Sequence, residues 1–126
     1  MTFDSDYEPF FQPPGWIIGP VWLVLYVSIA ISFYMILSKR EELKNSNLII
    51  ALFISQLFLN LAWSDVFNSA DYLLSLVMLL FMIIFSIIYS YLVYKPIKQA
   101  SIIMWPYIAW ITFAAAINTA YYLEFN

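Results

Sequence analysis

The sequence contains no cysteine and no histidine. Without cysteine there are no disulfides, thiolate metal sites or cysteine nucleophiles, and without histidine the commonest metal ligand and general base are missing. No metal site and no catalytic residue is expected, and most enzyme chemistry loses its usual groups. Charge is also scarce: 10% of residues are charged, with eight acids, five bases and a net charge of −3. An ordinary soluble domain carries about a quarter charged residues. So few bases offer no surface for a phosphate backbone, which sets nucleic acid aside. What fills the 126 residues is apolar, 64% hydrophobic and 21% aromatic, with a mean hydropathy of +0.84. A soluble fold of this size would leave far more apolar surface outside than monomers tolerate. The excess calls for lipid as solvent.

Four uncharged apolar runs are long enough to cross about 30 Å of hydrocarbon: residues 17–38, 48–67, 72–94 and 102–123. Lipid requires each amide to bond within its own segment or in a closed barrel, and unbroken runs of ~20 residues fit helices. The connections are short, so consecutive helices run antiparallel. The expected fold is an all-α membrane protein, an antiparallel bundle of four transmembrane helices forming one integral membrane domain over residues 1–126. All five bases (Lys39, Arg40, Lys44, Lys95 and Lys98) fall in the first and third connections. An even number of crossings places these on one side, which the positive-inside rule makes cytoplasmic, with both termini on the opposite side. Asp4, Asp6, Glu8, Asp65, Asp71 and Glu124 lie on that opposite side. Asp65, at the end of the second run, reads as an interfacial, solvated acid.

Residues 1–15 lack the basic and apolar regions of a signal peptide and are expected to be retained. Pro9, Pro13 and Pro14 disfavour helix there and, with Phe10, Phe11 and Trp16, suit a loop in the headgroup zone. Membrane lipid is the expected surrounding.

Polar residues inside the spans mark faces turned to protein. Gln56, Asn60 and Ser64 recur at i, i+4 and i+8, one stripe of a helix. Such amides either hold helices together or present a donor and acceptor to a ligand. The fourth run aligns Trp110, Phe113, Ala114, Ile117, Asn118 and Tyr121, and the first aligns Trp22, Tyr26, Ile29 and Phe33. Aromatic stripes are packing, interfacial belt or slot, and Trp22 and Trp110 lie too deep for a belt. The small residues Ala114 to Ala116 admit either a neighbouring helix or a flat ligand. Pro106 is expected near the start of the fourth helix, loosening or kinking its first turn. The third run has only serine and tyrosine as polar groups and reads as scaffold. Gly15 and Gly19 form a GxxxG at the membrane edge followed by Pro20, a weak dimerisation motif; Ala51 and Ser55 are better placed. With no charge inside the spans, a proton pump or voltage sensor has no working part. A passive pocket remains.

Three ordered motifs carry a family resemblance. Pro9-Phe-Phe-Gln-Pro13-Pro14-Gly-Trp16-Ile-Ile-Gly-Pro20-Val21-Trp22-Leu-Val-Leu25-Tyr26 is similar to a proline-rich loop entering a P-V-W-x-x-L-Y helix start. Leu59-Asn60-Leu-Ala-Trp63-Ser64-Asp-Val-Phe67 is similar to L-N-x-x-W-S-x-x-F, and Pro106-Tyr107-Ile-Ala-Trp110-Ile-Thr-Phe113-Ala114-Ala-Ala-Ile117-Asn118 to P-Y-x-x-W-x-x-F-A-x-x-L-N. Together they resemble the TspO/MBR family of tryptophan-rich sensory and translocator proteins, whose members bind porphyrins and lipid-like ligands. The resemblance implies a pocket between helices that uses Trp22, Asn60 and Trp110. The wider ligand-binding set it points to is Trp22, Tyr26, Asn60, Trp63, Tyr107, Trp110, Phe113, Ala114 and Asn118. The implied ligand is a tetrapyrrole, with indoles against its π surface and Asn60 on a polar substituent. Lacking histidine and cysteine, the chain suits a metal-free porphyrin or an open-chain bilin better than an axially ligated haem, and no cofactor is required. Light-dependent porphyrin breakdown in some members would make Trp110 the residue to test for chemistry.

Two features depart from the family pattern. Members usually have five transmembrane helices, and the one preceding the proline-rich loop is missing here, which would expose flanks of the first two spans. A second copy in a homodimer, lipid or another protein would fill that gap, unless the helix is encoded upstream. Near the end of the last helix, Tyr121-Tyr122-Leu-Glu124 puts an acid where the proposed sterol motif needs a base. The sequence therefore supports a tetrapyrrole sensor, carrier or regulator, with a ligand-free adaptor that recruits another membrane protein as the alternative.

Overall fold

A computed structural model describes residues 15–69 and 71–125. The proline-rich segment read as an interfacial loop lies outside the described residues, apart from its last positions. Four long helices follow in order: α1 (Gly15–Ser38), α2 (Ser46–Asn68), α3 (Tyr72–Tyr94) and α4 (Lys98–Phe125). All four are long and apolar enough to cross a membrane, and the described residues contain no strand. This is the expected all-α membrane bundle.

α3 keeps the bounds of its apolar run, whereas α2 and α4 overrun theirs because polar residues at their ends stay helical where the chain emerges from hydrocarbon. The difference is largest in α4, which begins at Lys98 rather than near Ile102. Pro106 therefore sits about two turns inside the helix, not in its first turn. The helix continues through it, and through Pro20 in α1.

Burial is arranged for lipid. Large apolar side chains such as Leu23, Val27, Phe58, Leu61, Leu80 and Ile84 are exposed, whereas Ser32, Gln56, Asn60, Ser75, Ser86, Ser90, Ser101 and Asn118 are buried. Outward-facing hydroxyls satisfy themselves locally: Ser28, Thr112 and Thr119 donate to the carbonyl four residues earlier at 3.0, 2.8 and 2.8 Å.

The inward face of α1 is Ile18, Trp22, Leu25, Ile29, Ser32 and Ile36, and that of α2 is Ile49, Phe53, Gln56, Asn60, Trp63 and Phe67. Both alternate steps of four and three, the seam of left-handed helix packing. A run of fours drifts off this seam, which moves Ser64 to its edge and gives the inward position to Trp63. Ser64 is accordingly half-buried, a correction to the stripe read from spacing alone.

Packing is uneven. α3 lies along both α2 and α4, and α4 lies along α1, while α1 and α2 barely touch. Small residues allow the close approaches. Ser101 Oγ donates to the Ser90 carbonyl at 2.7 Å, and Ser32 Oγ donates to the Ala100 carbonyl at 2.7 Å while sharing a 3.1 Å hydrogen bond with the Tyr89 hydroxyl. The α1–α2 seam is bridged near its basic end by the stacked rings of Phe33 and Phe53, 4.2 Å apart.

All five bases gather at one end. There a single 3₁₀ turn, Arg40–Glu42, links α1 to α2, and the buried Leu43 anchors the link. Pro96 stops α3, and Ile97, buried, donates its N–H to the Val93 carbonyl at 2.9 Å. At the opposite end Asp65 is exposed, and Asp71 caps α3 by accepting the Leu74 N–H at 3.2 Å. Asp71→Ala should lower stability by about 1 kcal/mol, read as an earlier midpoint in detergent unfolding.

Candidate functional site

Toward the end of the bundle away from the bases, the inward faces of α1, α2 and α4 carry three indoles. Trp22 and Trp63 are buried and Trp110 is half-buried. The Trp22 ring lies 6.3 Å from Trp63, 6.1 Å and edge-on from Trp110, and stacks on Tyr26 at 5.6 Å. These separations fall within the range in which aromatic quadrupoles attract.

A hydrogen-bonded chain runs beneath them. The Tyr26 hydroxyl donates to Asn60 Oδ1 at 2.5 Å, Asn60 Nδ2 donates to the Tyr107 hydroxyl at 2.7 Å, and that hydroxyl donates to Gln56 Oε1 at 2.6 Å. Three helices are thus joined through Asn60, at roughly 0.6–2 kcal/mol per bond. Among the residues of this site, Gln56 Nε2 and Trp110 Nε1 are buried without a hydrogen-bond partner.

Trp22, Tyr26, Asn60, Trp63, Gly19 and Ser64 line a cavity of about 190 Å³ between α1 and α2. The next groove along the same seam, about 240 Å³, is lined by Ile29, Phe33, Phe53 and Leu57 among others, and Tyr26 borders both.

The nine residues singled out from sequence therefore separate by role. Trp22, Tyr26, Asn60 and Trp63 line the cavity. Tyr107 and Trp110 form its backing, through Asn60 and Trp22. Phe113 packs on Trp110 at 5.8 Å and does not line the cavity, and Ala114 is in the bundle core. Asn118 positions another wall: it accepts the Trp63 indole N–H at 3.2 Å and donates to the Tyr72 carbonyl at 2.9 Å.

Gly19, which the sequence offers only as part of a GxxxG, lines the cavity, and a Cβ at this position would meet nothing within 4 Å. The only sequence signal was a glycine one helical turn before Trp22. Because Gly is a poor helix former, Gly19→Ala should raise stability by up to ~1 kcal/mol, seen as a later unfolding midpoint.

A sequence model of the TspO/MBR family matches residues 2–123. The chain belongs to the TspO/MBR family. It is 38% identical to the tryptophan-rich protein TspO of Archaeoglobus fulgidus over 117 residues, covering 92% of this chain and 74% of that protein. It is 28% identical to the human translocator protein over 113 residues, covering 88% and 67%. It is also 23% identical to the tryptophan-rich sensory protein of Cereibacter sphaeroides over 119 residues, covering 92% and 72%. As a TspO/MBR protein with four membrane-crossing helices, the chain is an integral membrane protein. Its indole cluster draws on all three motifs that carry the family resemblance.

Proposed function

We propose that this TspO/MBR chain binds a tetrapyrrole, a metal-free porphyrin or a bilin, in the seam between α1 and α2, and serves as a membrane-embedded sensor, carrier or regulator. The observation that carries the reading is a cavity lined by Trp22, Trp63 and Asn60, with Trp110 packed behind Trp22. The indoles offer π surface to a flat ring, and the amide addresses a polar substituent.

Size defines how such a ligand sits. The cavity alone is smaller than the ~300 Å³ at which ligand pockets begin, so the ring extends along the seam into the groove beyond Tyr26. α1 and α2 are joined by side chains more than by close backbone approach, and the ring takes the place of contacts such as the Phe33–Phe53 stack. The same apolar groove favours a second reading, an adaptor whose seam receives a helix of another membrane protein or a second copy of this chain.

Titrating the detergent-solubilised protein with protoporphyrin IX and with biliverdin, while following tryptophan emission, separates the two. A tetrapyrrole site gives saturable quenching that Gly19→Leu, which adds bulk to the cavity lining where a Cβ meets no other atom, weakens without shifting the unfolding midpoint downward. Linear quenching identical in both proteins supports the adaptor.

A further inference from the structure

A cleft of about 480 Å³ opens between α3 and α4 at the basic end of the bundle, away from the α1–α2 seam; Ile87, Ser90, Tyr91, Tyr94, Lys95 and Trp105 are among the residues that line it. Its walls are apolar along the helices and its mouth is cationic. Ile87, Tyr91, Tyr94 and Trp105 are exposed beside it, an aromatic setting typical of the level where hydrocarbon meets headgroups. Lys95 stands at the mouth, and Lys98 Nζ lies 5.8 Å over the Tyr94 ring.

Inside, Ser90 is fully buried and its hydroxyl has no hydrogen-bond partner, whereas the Ser101 hydroxyl is committed to the Ser90 carbonyl. Among the described residues, no acid lines this cleft. Lys95 also borders a second cleft of about 480 Å³ beneath the α1–α2 connection, which adds Lys44 together with one acid, Glu42. From Ile87 to Lys95 the trough runs ~12 Å at 1.5 Å per residue. An apolar trough ending in ammonium groups at the membrane surface is complementary to one kind of molecule, an acyl chain carrying an anionic phosphate. Basic pockets between transmembrane helices hold acidic lipid headgroups by this chemistry.

We propose that the α3–α4 cleft is a binding site for an anionic phospholipid of the surrounding leaflet, its phosphate on Lys95 and one acyl chain lying along Ile87 and Trp105. Lys98 and Lys44 add to the field at the headgroup. A zwitterionic lipid fits the trough equally well but gains nothing net at its rim, so selectivity comes from charge. This site is independent of the tetrapyrrole reading.

The test places the protein in phosphatidylcholine bicelles doped with equal fractions of brominated phosphatidylglycerol or brominated phosphatidylcholine, and follows tryptophan quenching. The glycerol lipid should quench with about fivefold higher apparent affinity, the effect of one lysine near an anionic surface. That excess should vanish in Trp105→Phe, which removes the reporter, and in Lys95→Gln. It should survive in Lys95→Arg, and in Lys39→Gln, which removes a base at the same end but outside the cleft. Equal quenching by both lipids, an excess that survives Trp105→Phe, or equal losses in Lys39→Gln and Lys95→Gln would overturn the proposal, the last pointing to diffuse surface charge.

Discussion

Tyr107→Phe is expected to destabilise the bundle by about 2 kcal/mol, far more than the loss of one exposed hydroxyl. The Tyr107 hydroxyl is fully buried, accepts from Asn60 Nδ2 and donates to Gln56 Oε1. Removing it orphans a donor and an acceptor at once, and Gln56, whose Nε2 already lacks a partner, is left with none. The distinguishing result is the second mutation. Adding Gln56→Leu to Tyr107→Phe removes the stranded amide and should restore at least half of the loss, because replacing both partners of a buried hydrogen bond by apolar groups is nearly neutral. Unfolding midpoints in mixed micelles across this double-mutant cycle check it; additive losses would mean that the two groups do not interact.

That network also marks where sequence reading stops. The four spans were legible because uncharged apolar runs of membrane length have one solution in lipid. The turn of polar residues at the start of α4 was not, since a hydropathy criterion ends a helix where its hydrocarbon contact ends. On α2 the spacing of Gln56 and Asn60 identified a protein-facing stripe, but helix periodicity describes one helix at a time. It did not reveal that Tyr26 and Tyr107 reach Asn60 from opposite sides, or that Trp63 displaces Ser64 from the inward seam. Those facts depend on how α1 and α4 are placed about α2, which is a property of the whole bundle. The indole grouping was legible through the motifs, whereas the two-part shape of the α1–α2 seam was not.

The second large effect concerns ligand affinity. Replacing Trp22 and Trp110 together by phenylalanine should weaken protoporphyrin IX binding about tenfold and also bring an earlier unfolding midpoint, because both indoles are packed against other rings. Trp22 lines the cavity and Trp110 meets the Trp22 ring edge-on at 6.1 Å, so a smaller ring at 22 withdraws π area from the ligand and a smaller ring at 110 loosens the support that orients Trp22. Aromatic contacts contribute about 0.5–1.5 kcal/mol beyond area burial, and two partial losses of that size amount to the expected factor. The double variant also removes the unpaired Trp110 Nε1 donor. A single Trp105→Phe change, at the α3–α4 cleft, should leave porphyrin affinity unaltered. Fluorescence titrations of the three proteins under one detergent condition provide the comparison.

The most direct test of a tetrapyrrole in the α1–α2 seam is the indole N–H region of a ¹⁵N spectrum, recorded as metal-free protoporphyrin IX is added. The five tryptophans give five assignable signals, and the ring current of the porphyrin displaces those nearest to it. The proposed site predicts that Trp22, Trp63 and Trp110 shift together and saturate at one ligand concentration while Trp105 stays in place. Largest displacement at Trp105, or drift of all five signals without saturation, would contradict it.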